Sequence, residues 1–385
     1  MMKRLIPAAY SLLAVLTASC SSPVTGDKGS PTEPEASSPP FKMEEMATFE
    51  EPWAIAFDEG TGTLFVTEKK GTIRFRLPDG KTGTVSGVPK VDYGGQGGLG
   101  DFAFLPGQTS PSLDRRVVFL SWAEAGPEDT RGAAVGRADM ACRATDACEF
   151  QNLTVIWRQQ PKVTGRGHYS HRLAFSPDGR YLFIASGDRQ KMTPAQDPAS
   201  DLGKIVRIAV DASGRPSGPA EHYSLGHRNI LGLQFDPQGR LWSLEHGPAG
   251  GDELNLVKPG ANYGWPLASN GSHYDGTAIP DHRDGDGFAA PAISWNPVIA
   301  PGDMIFYTGD LFSEWKGQTL IAAMQPSGLV RVEIAGSGAR EVARHATEHR
   351  IRSIAQAPDG SIWVIEDGKG LGRSRLLRLT PIVRD

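Results

Sequence analysis

Little in this sequence points toward metal clusters, nucleic acid or the common hydrolases. Only three cysteines occur in 385 residues, Cys20, Cys142 and Cys148. The last two stand six residues apart with no third or fourth metal ligand nearby, so they read as a local disulfide formed in an oxidising compartment. Excess charge of either sign is also missing. The formal net charge is −4, or −6 once a leader carrying Lys3 and Arg4 is removed, which gives no electrostatic reason to expect nucleic acid. No Gly-x-Ser-x-Gly elbow and no His-Glu-x-x-His occurs, so serine hydrolases and zinc proteases have no support. The GGQGGLG run from Gly94 precedes neither a helix nor Lys-Ser/Thr and is no phosphate loop, while DHRDGDG from Asp281 lacks the closing acid of a calcium loop.

One apolar run stands at the N-terminus, behind Lys3 and Arg4, and passes through Leu16 to Thr17, Ala18, Ser19 and Cys20. Residues 1–19 read as an export signal and not as a membrane span. A cysteine directly after small residues resembles the bacterial lipoprotein processing site, in which Cys20 would become the lipidated first residue; plain secretion is the alternative. Between Ser21 and Pro40 the only aliphatic residue larger than alanine is Val24, so residues 20–44 read as a flexible tether and 45–385 as the folded body. The expected location is the bacterial cell envelope, periplasmic or extracellular, with the membrane reached only through a lipid anchor on Cys20.

What the body does contain is a repeat: an apolar strand, a turn rich in Pro, Asp and Gly, and a second apolar strand. The units are WAIAFDEGTGTLFVTE from Trp53, LGDFAF with RRVVFLSW from Leu99, RLAFSPDGRYLFIASGD from Arg172, GLQFDPQGRLWSLEHG from Gly232, MIFYTGDLFSEWKGQTLIAAM from Met304 and IRSIAQAPDGSIWVIEDG from Ile351. Each continues into another strand such as KIVRIAV or GLVRVEI. Six hairpins at a spacing of roughly 40 to 70 residues, with no amphipathic helical stretch between them, predict an all-β, six-bladed β-propeller with four-stranded antiparallel blades. Insertions after Ala125, Asp188 and Asn262 would decorate one face. A pair of β-sandwiches is the alternative, though six near-identical hairpins are hard to place in it.

A propeller brings hairpin ends together at its central channel, where a small-molecule pocket is expected. His168, Asp188, Arg228, His246 and Arg350 would converge there. The stretch from Tyr223 to Pro266 is the densest, with Arg228 and Asn229 ahead of one hairpin and His246, Asp252 and Glu253 behind it. Arg350 and Arg352 share one face of a strand and suit the binding of carboxylates, although such a pair is more often solvated.

Over roughly residues 45 to 382 the chain resembles the PQQ-dependent soluble aldose sugar dehydrogenases, the glucose/sorbosone dehydrogenase family of six-bladed propellers. The resemblance is carried by GGQGGLGDFAF at Gly94, GHYSHRLAFSPDG at Gly167, LGHRN at Leu225, EHGPAGGDELN at Glu245, NYGWP at Asn262, FYTGDLFSEWKG at Phe306 and HRIRSI at His349. It implies oxidation of an aldose sugar at its anomeric carbon to a lactone, with electrons passed to an external acceptor. His168 would be the general base, with Asp188 supporting its imidazolium form. Arg228 and Asn229 would contact the quinone oxygens, Arg228 opposing charge developed on reduction. Gln96, Arg350 and Arg352 would complete the cofactor contacts. Gly247 and Pro248 would offer carbonyls to a Ca2+ bridging protein and PQQ, and Glu253 and Tyr263 would belong to a second, structural calcium.

Two departures stand out. Where the family has Ala-Leu-Lys, with the lysine on the cofactor, this chain has Ala323, Met324 and Gln325, so one cationic contact is missing. After the base the family has an aromatic, a glycine and a small residue, whereas Tyr169 is followed here by Ser170 and His171. Two alternatives therefore stay open: a catalytically silent envelope propeller that binds carbohydrate or protein, and a calcium-dependent sugar lactonase, against which the arginines argue.

Overall fold

The hairpins form because their turns are chemically specified. In the turn between Ile230–Phe235 and Leu241–Glu245, Asp236 Oδ1 accepts the backbone N–H groups of Gln238 and Arg240 at 3.0 and 2.9 Å. Gly239 supplies the left-handed φ of 76° that closes the turn. The other carboxylate oxygen takes the Trp242 indole N–H at 2.9 Å, tying the turn to the strand that leaves it. The same logic recurs at Asp359, which accepts the N–H of Ser361.

The computed structural model describes residues 39–144, 146–368 and 373–382. The export signal, Cys20 and most of the tether lie outside the described residues. The described chain is all-β, and its only helical turns are two short 3-10 segments, Thr193–Gln196 and Ser313–Trp315. All six repeats are present as antiparallel hairpins. Their first strands are Pro52–Phe57, Leu99–Phe104, Ser170–Phe175, Ile230–Phe235, Pro301–Phe306 and Ile351–Gln356. Each neighbours the first strand of the next repeat, and the last neighbours the first, so the six close a ring.

Three corrections to the sequence reading follow. The strands are not all sorted into separate four-stranded sheets. Thr82–Ser86 pairs in parallel with Ala147–Arg158, which merges the first two repeats into one eight-stranded sheet. The disulfide Cys142–Cys148 sits at this junction, with Cys148 opposite Val85. Second, the tether does not extend to residue 44. Phe41–Phe49 is a strand, paired antiparallel with Ser374–Pro381, so the first and last strands of the described residues complete the same sheet. A strand whose partner lies at the far end of the chain leaves no local signature. Third, no insertion follows Ala125: Gly126 to Thr130 is the turn of a long hairpin made by Arg115–Ala125 and Arg131–Ala144.

The other two insertions are real, and they are clasped together. Gln196 Nε2 donates to Asn262 Oδ1 and to the Trp265 carbonyl at 3.0 and 2.7 Å, while Asn262 Nδ2 donates back to Gln196 Oε1 at 2.7 Å. Lys204, fully buried, braces the first insertion by donating to the carbonyls of Pro194, Ala195 and Leu202. Such cross-bracing gives loops the rigidity that a binding site requires.

Candidate active site

A cavity of about 450 Å³ opens where the first strands of the ring begin. Gln96, His168, Arg228, Asn229, Arg350 and Arg352 all line it, from segments as far as 256 positions apart (96 to 352). The ring therefore brings together every predicted base and cofactor contact except Asp188, which stands directly behind His168.

His168 is held from three sides. Its Nδ1 lies 2.7 Å from Asp188 Oδ1. The carboxylate thus keeps the proton on Nδ1 and leaves Nε2 as the basic atom on the cavity side. Its backbone N–H donates to Gln96 Oε1 at 2.7 Å. Behind it, the buried Arg189 donates to the carbonyls of Gly167, Arg131 and Gly165 and lies 3.7 Å from the centre of the Tyr169 ring. These contacts hold a strained backbone: His168, Ser170 and His171 have φ of 48°, 65° and 74°. Non-glycine residues there cost on the order of 1–3 kcal/mol each.

Burial draws the His168 pKa below its ordinary value, although Asp188 pulls the other way, so the imidazole is neutral at neutral pH. Asp188 is opposed by its own burial, yet His168, the Gln190 N–H and the Trp265 indole N–H together hold its pKa down. The Trp265 Nε1 donates to Asp188 Oδ2 at 2.8 Å, and the same indole ring lies 5.2 Å from the Arg228 guanidinium. Trp265 thus touches both the support of the base and the cation across from it. Nothing within the NYGWP segment itself marks Trp265 for this role.

Arg228 is buried but poorly satisfied. It reaches the His246 carbonyl and the Tyr274 hydroxyl, each at 3.2 Å, while its Nε has no partner. Asn229 accepts the Ser170 N–H at 3.3 Å. His246 is neutral, with burial lowering its pKa to about 3, and it donates from Nε2 to the Pro301 carbonyl. Arg350 and Arg352, expected as cofactor contacts, already share an acid of the protein. Both hold Asp367, at 2.8 and 3.1 Å, and that carboxyl is kept below its usual range against its burial. Gln96 has its carbonyl engaged by His168, leaving its amide N–H groups to a ligand.

The departures resolve differently. Gln325 is exposed and does not line the cavity; the buried Met324 does. His171 lines the cavity without a hydrogen bond to either ring nitrogen, stacked on Tyr169 at 5.2 Å and edge-on to Trp53 at 5.7 Å. It packs with its aromatic neighbours rather than closing the pocket. Lys69, Asp367 and Tyr274 also line the cavity and escaped the sequence reading. A signal existed for the first two, since Lys69 and Asp367 directly follow the second strand of a repeat, as His246 does.

A small recess behind Arg228 holds the predicted metal positions only in part. Gly247, Glu253 and Tyr263 line it, and Pro248, though buried, does not. The Tyr263 hydroxyl is committed, donating to the Leu256 carbonyl and accepting the Lys258 N–H, so a metal could take only its backbone oxygen. Among the described residues no three His, Cys, Asp or Glu groups converge to hold a metal. Oxygen donors are nevertheless present, Glu253 in the recess and Asn255 beside it. The Glu253 carboxyl is raised well above its usual range by burial and by Glu245, and the buried Asn255 Oδ1 has no partner. A hard cation bound by carbonyl, amide and carboxylate oxygens would relieve both.

Residues 49–378 match the family model described as Glucose / Sorbosone dehydrogenase. The chain is 33% identical over 345 residues to aldose sugar dehydrogenase YliI of Escherichia coli, covering 86% of this chain and 90% of that protein. It superposes on the apo crystal structure of the soluble aldose sugar dehydrogenase from Escherichia coli with a TM-score of 0.78 at 32% identity, covering 89% of this chain and all of that one (100%). The PQQ-bound aldose sugar dehydrogenase from Streptomyces coelicolor superposes with a TM-score of 0.69 at 26% identity, over 90% and 99% of the two chains. By the family match, the sequence identity and the shared fold, the chain belongs to the glucose/sorbosone dehydrogenase family of sugar oxidoreductases.

Proposed function

We propose that this chain is a six-bladed propeller that oxidises aldose sugars at the anomeric carbon to lactones, with PQQ and Ca2+ as cofactors and an external electron acceptor. The observation that carries the reading is the His168–Asp188 pair, whose Nε2 faces the cavity, set beside Arg228 with its orphaned Nε. A tricarboxylate quinone fits the residues present, because Arg228, Arg350 and Arg352 share one cavity and the first has no carboxylate of its own.

PQQ, when bound, supplies the two-electron acceptor that turns the C1–H and O–H of the sugar into a lactone carbonyl. The protein's part is to hold and to move a proton. His168 Nε2 accepts the hydrogen bond of the anomeric hydroxyl and takes its proton as the C1–O bond gains double-bond character. Asp188 steadies the resulting imidazolium, and Trp265 keeps Asp188 in place. Arg228 and Asn229 orient the acceptor, and the guanidinium opposes negative charge developed there. Gly247 and Pro248 are the proposed carbonyl ligands of one calcium, and Glu253 with the Tyr263 carbonyl those of another.

Export to the cell envelope, with a lipid anchor at Cys20, belongs to the same proposal. The disulfide Cys142–Cys148 supports an oxidising compartment. Purified protein titrated with PQQ with and without Ca2+, then assayed by dye reduction on several aldoses, tests the reading. Activity with at least one aldose only after reconstitution is expected; no activity with any of them overturns it.

A further inference from the structure

The missing family lysine leaves a question of charge. Gln325 follows the second strand of its repeat, where a cation is expected, but it is exposed and outside the cavity. Arg350 and Arg352 share a single carboxylate, Asp367, so between them they offer roughly one uncompensated charge. Arg228 offers another. Among the protein's own side chains, a ligand with three carboxylates would still lack one cationic partner.

Lys69 is the remaining cavity-lining cation. It follows the strand Leu64–Glu68 in the first repeat, the position equivalent to Gln325 in the fifth. Its Nζ donates to the Gly95 carbonyl at 2.9 Å, next to Gln96, and lies 5.7 Å from the centre of the Tyr93 ring. An ammonium has three donors, and this contact uses one. Among the described residues Lys69 makes no salt bridge. The nearby Glu51 carboxylate accepts the Tyr93 hydroxyl and pairs with Lys70 instead. Burial pulls the Lys69 pKa below its ordinary value, although the Glu51 and Asp367 carboxylates pull the other way from beyond salt-bridge distance.

We propose that Lys69 binds a carboxylate of the quinone cofactor, and so takes over from the first repeat the contact that Gln325 leaves open in the fifth. The inference rests on the PQQ reading of this site. An anion here would meet Lys69 together with Arg228, Arg350 and Arg352, which line the same cavity. It would also supply Lys69 with the partner that the protein does not.

The test is a titration of the apo-protein with PQQ, followed by absorbance at two ionic strengths, for the wild type, Lys69→Gln, Lys69→Arg and the distant surface control Lys81→Gln. Loss of a charge-assisted contact should weaken PQQ binding about tenfold or more in Lys69→Gln. Its affinity should also fall less steeply with salt, because one screened charge pair is gone. Lys69→Arg should stay within about threefold of the wild type, since the charge is kept. Lys81→Gln, changed at an exposed residue, should match the wild type. Should glutamine disturb the Gly95 loop, visible as a lowered melting temperature, Lys69→Ser carries the same comparison. A wild type that binds no PQQ overturns the functional reading and this inference together. A wild type that binds, with neutral variants that bind equally well at both salt concentrations, overturns this inference alone.

Discussion

Two arginines on the ring's axis lead opposite lives. Arg172 closes the middle of the ring: it donates to the Leu231 and Gly302 carbonyls, pairs with Asp101 and Asp303 at 3.3 and 3.2 Å, and stacks on Trp53 at 4.2 Å. On its far side a second cavity of about 300 Å³ opens where the first strands end. Arg228, at the opposite mouth, has two long hydrogen bonds, no carboxylate and an orphaned Nε. Both are buried guanidinium groups. One is fully satisfied by protein and serves structure, whereas the other is left open to a ligand. Unmet hydrogen-bonding capacity, rather than charge itself, separates the functional mouth from the structural plug.

The largest effect tests the functional mouth. His168→Ala should lower kcat on any accepted aldose by roughly 100- to 10,000-fold, the range for removing a general base, with the melting temperature little changed. Retained turnover would remove His168 from the chemistry. At the plug, Arg172→Met should cost about 3–5 kcal/mol in denaturant unfolding, because it strands Asp101 and Asp303 without a counter-charge. Asp303, whose pKa burial raises to about 6, would then bind a proton more readily, so the loss should shrink in mild acid.

The same exchange at the other mouth sharpens the contrast. Arg228→Met should change stability by no more than about 1 kcal/mol, since no carboxylate is paired with its guanidinium, while weakening PQQ binding by about 10- to 100-fold. Equal destabilisation by the two substitutions would break the comparison. The smallest effect belongs to Trp265→Phe, expected to lower kcat/KM about tenfold. The sign of its pH effect follows from the Asp188 hydrogen bonds. Without the indole N–H, Asp188 holds the His168 proton more tightly, which raises the pKa of a base that works only unprotonated. The acidic limb of the profile should therefore move to higher pH, and an unmoved limb would show Trp265 to be packing alone.

Much of the fold was legible because hairpin turns are local. Asp236, Gly239 and Trp242 lie within seven residues and specify their turn among themselves. Candidate site residues at repeat ends were legible for the same reason, once a repeat was recognised. Two features were not: the pairing of Phe41–Phe49 with the C-terminal strand and the merging of the first two repeats. Each depends on a partner far along the chain, and strand pairing at such distance carries no periodicity of its own.

By itself the sequence determined the strand-turn-strand repeat, the base and its carboxylate as candidates, and the family resemblance, because these rest on short segments whose chemistry is complete in place. Tertiary structure alone decided which charges are spent on the protein and which remain for a ligand. Arg172, Arg350 and Arg352 look like Arg228 in one dimension. Only closing the ring sets Asp101, Asp303 and Asp367 against the first three and leaves Arg228, with Lys69, without an acid.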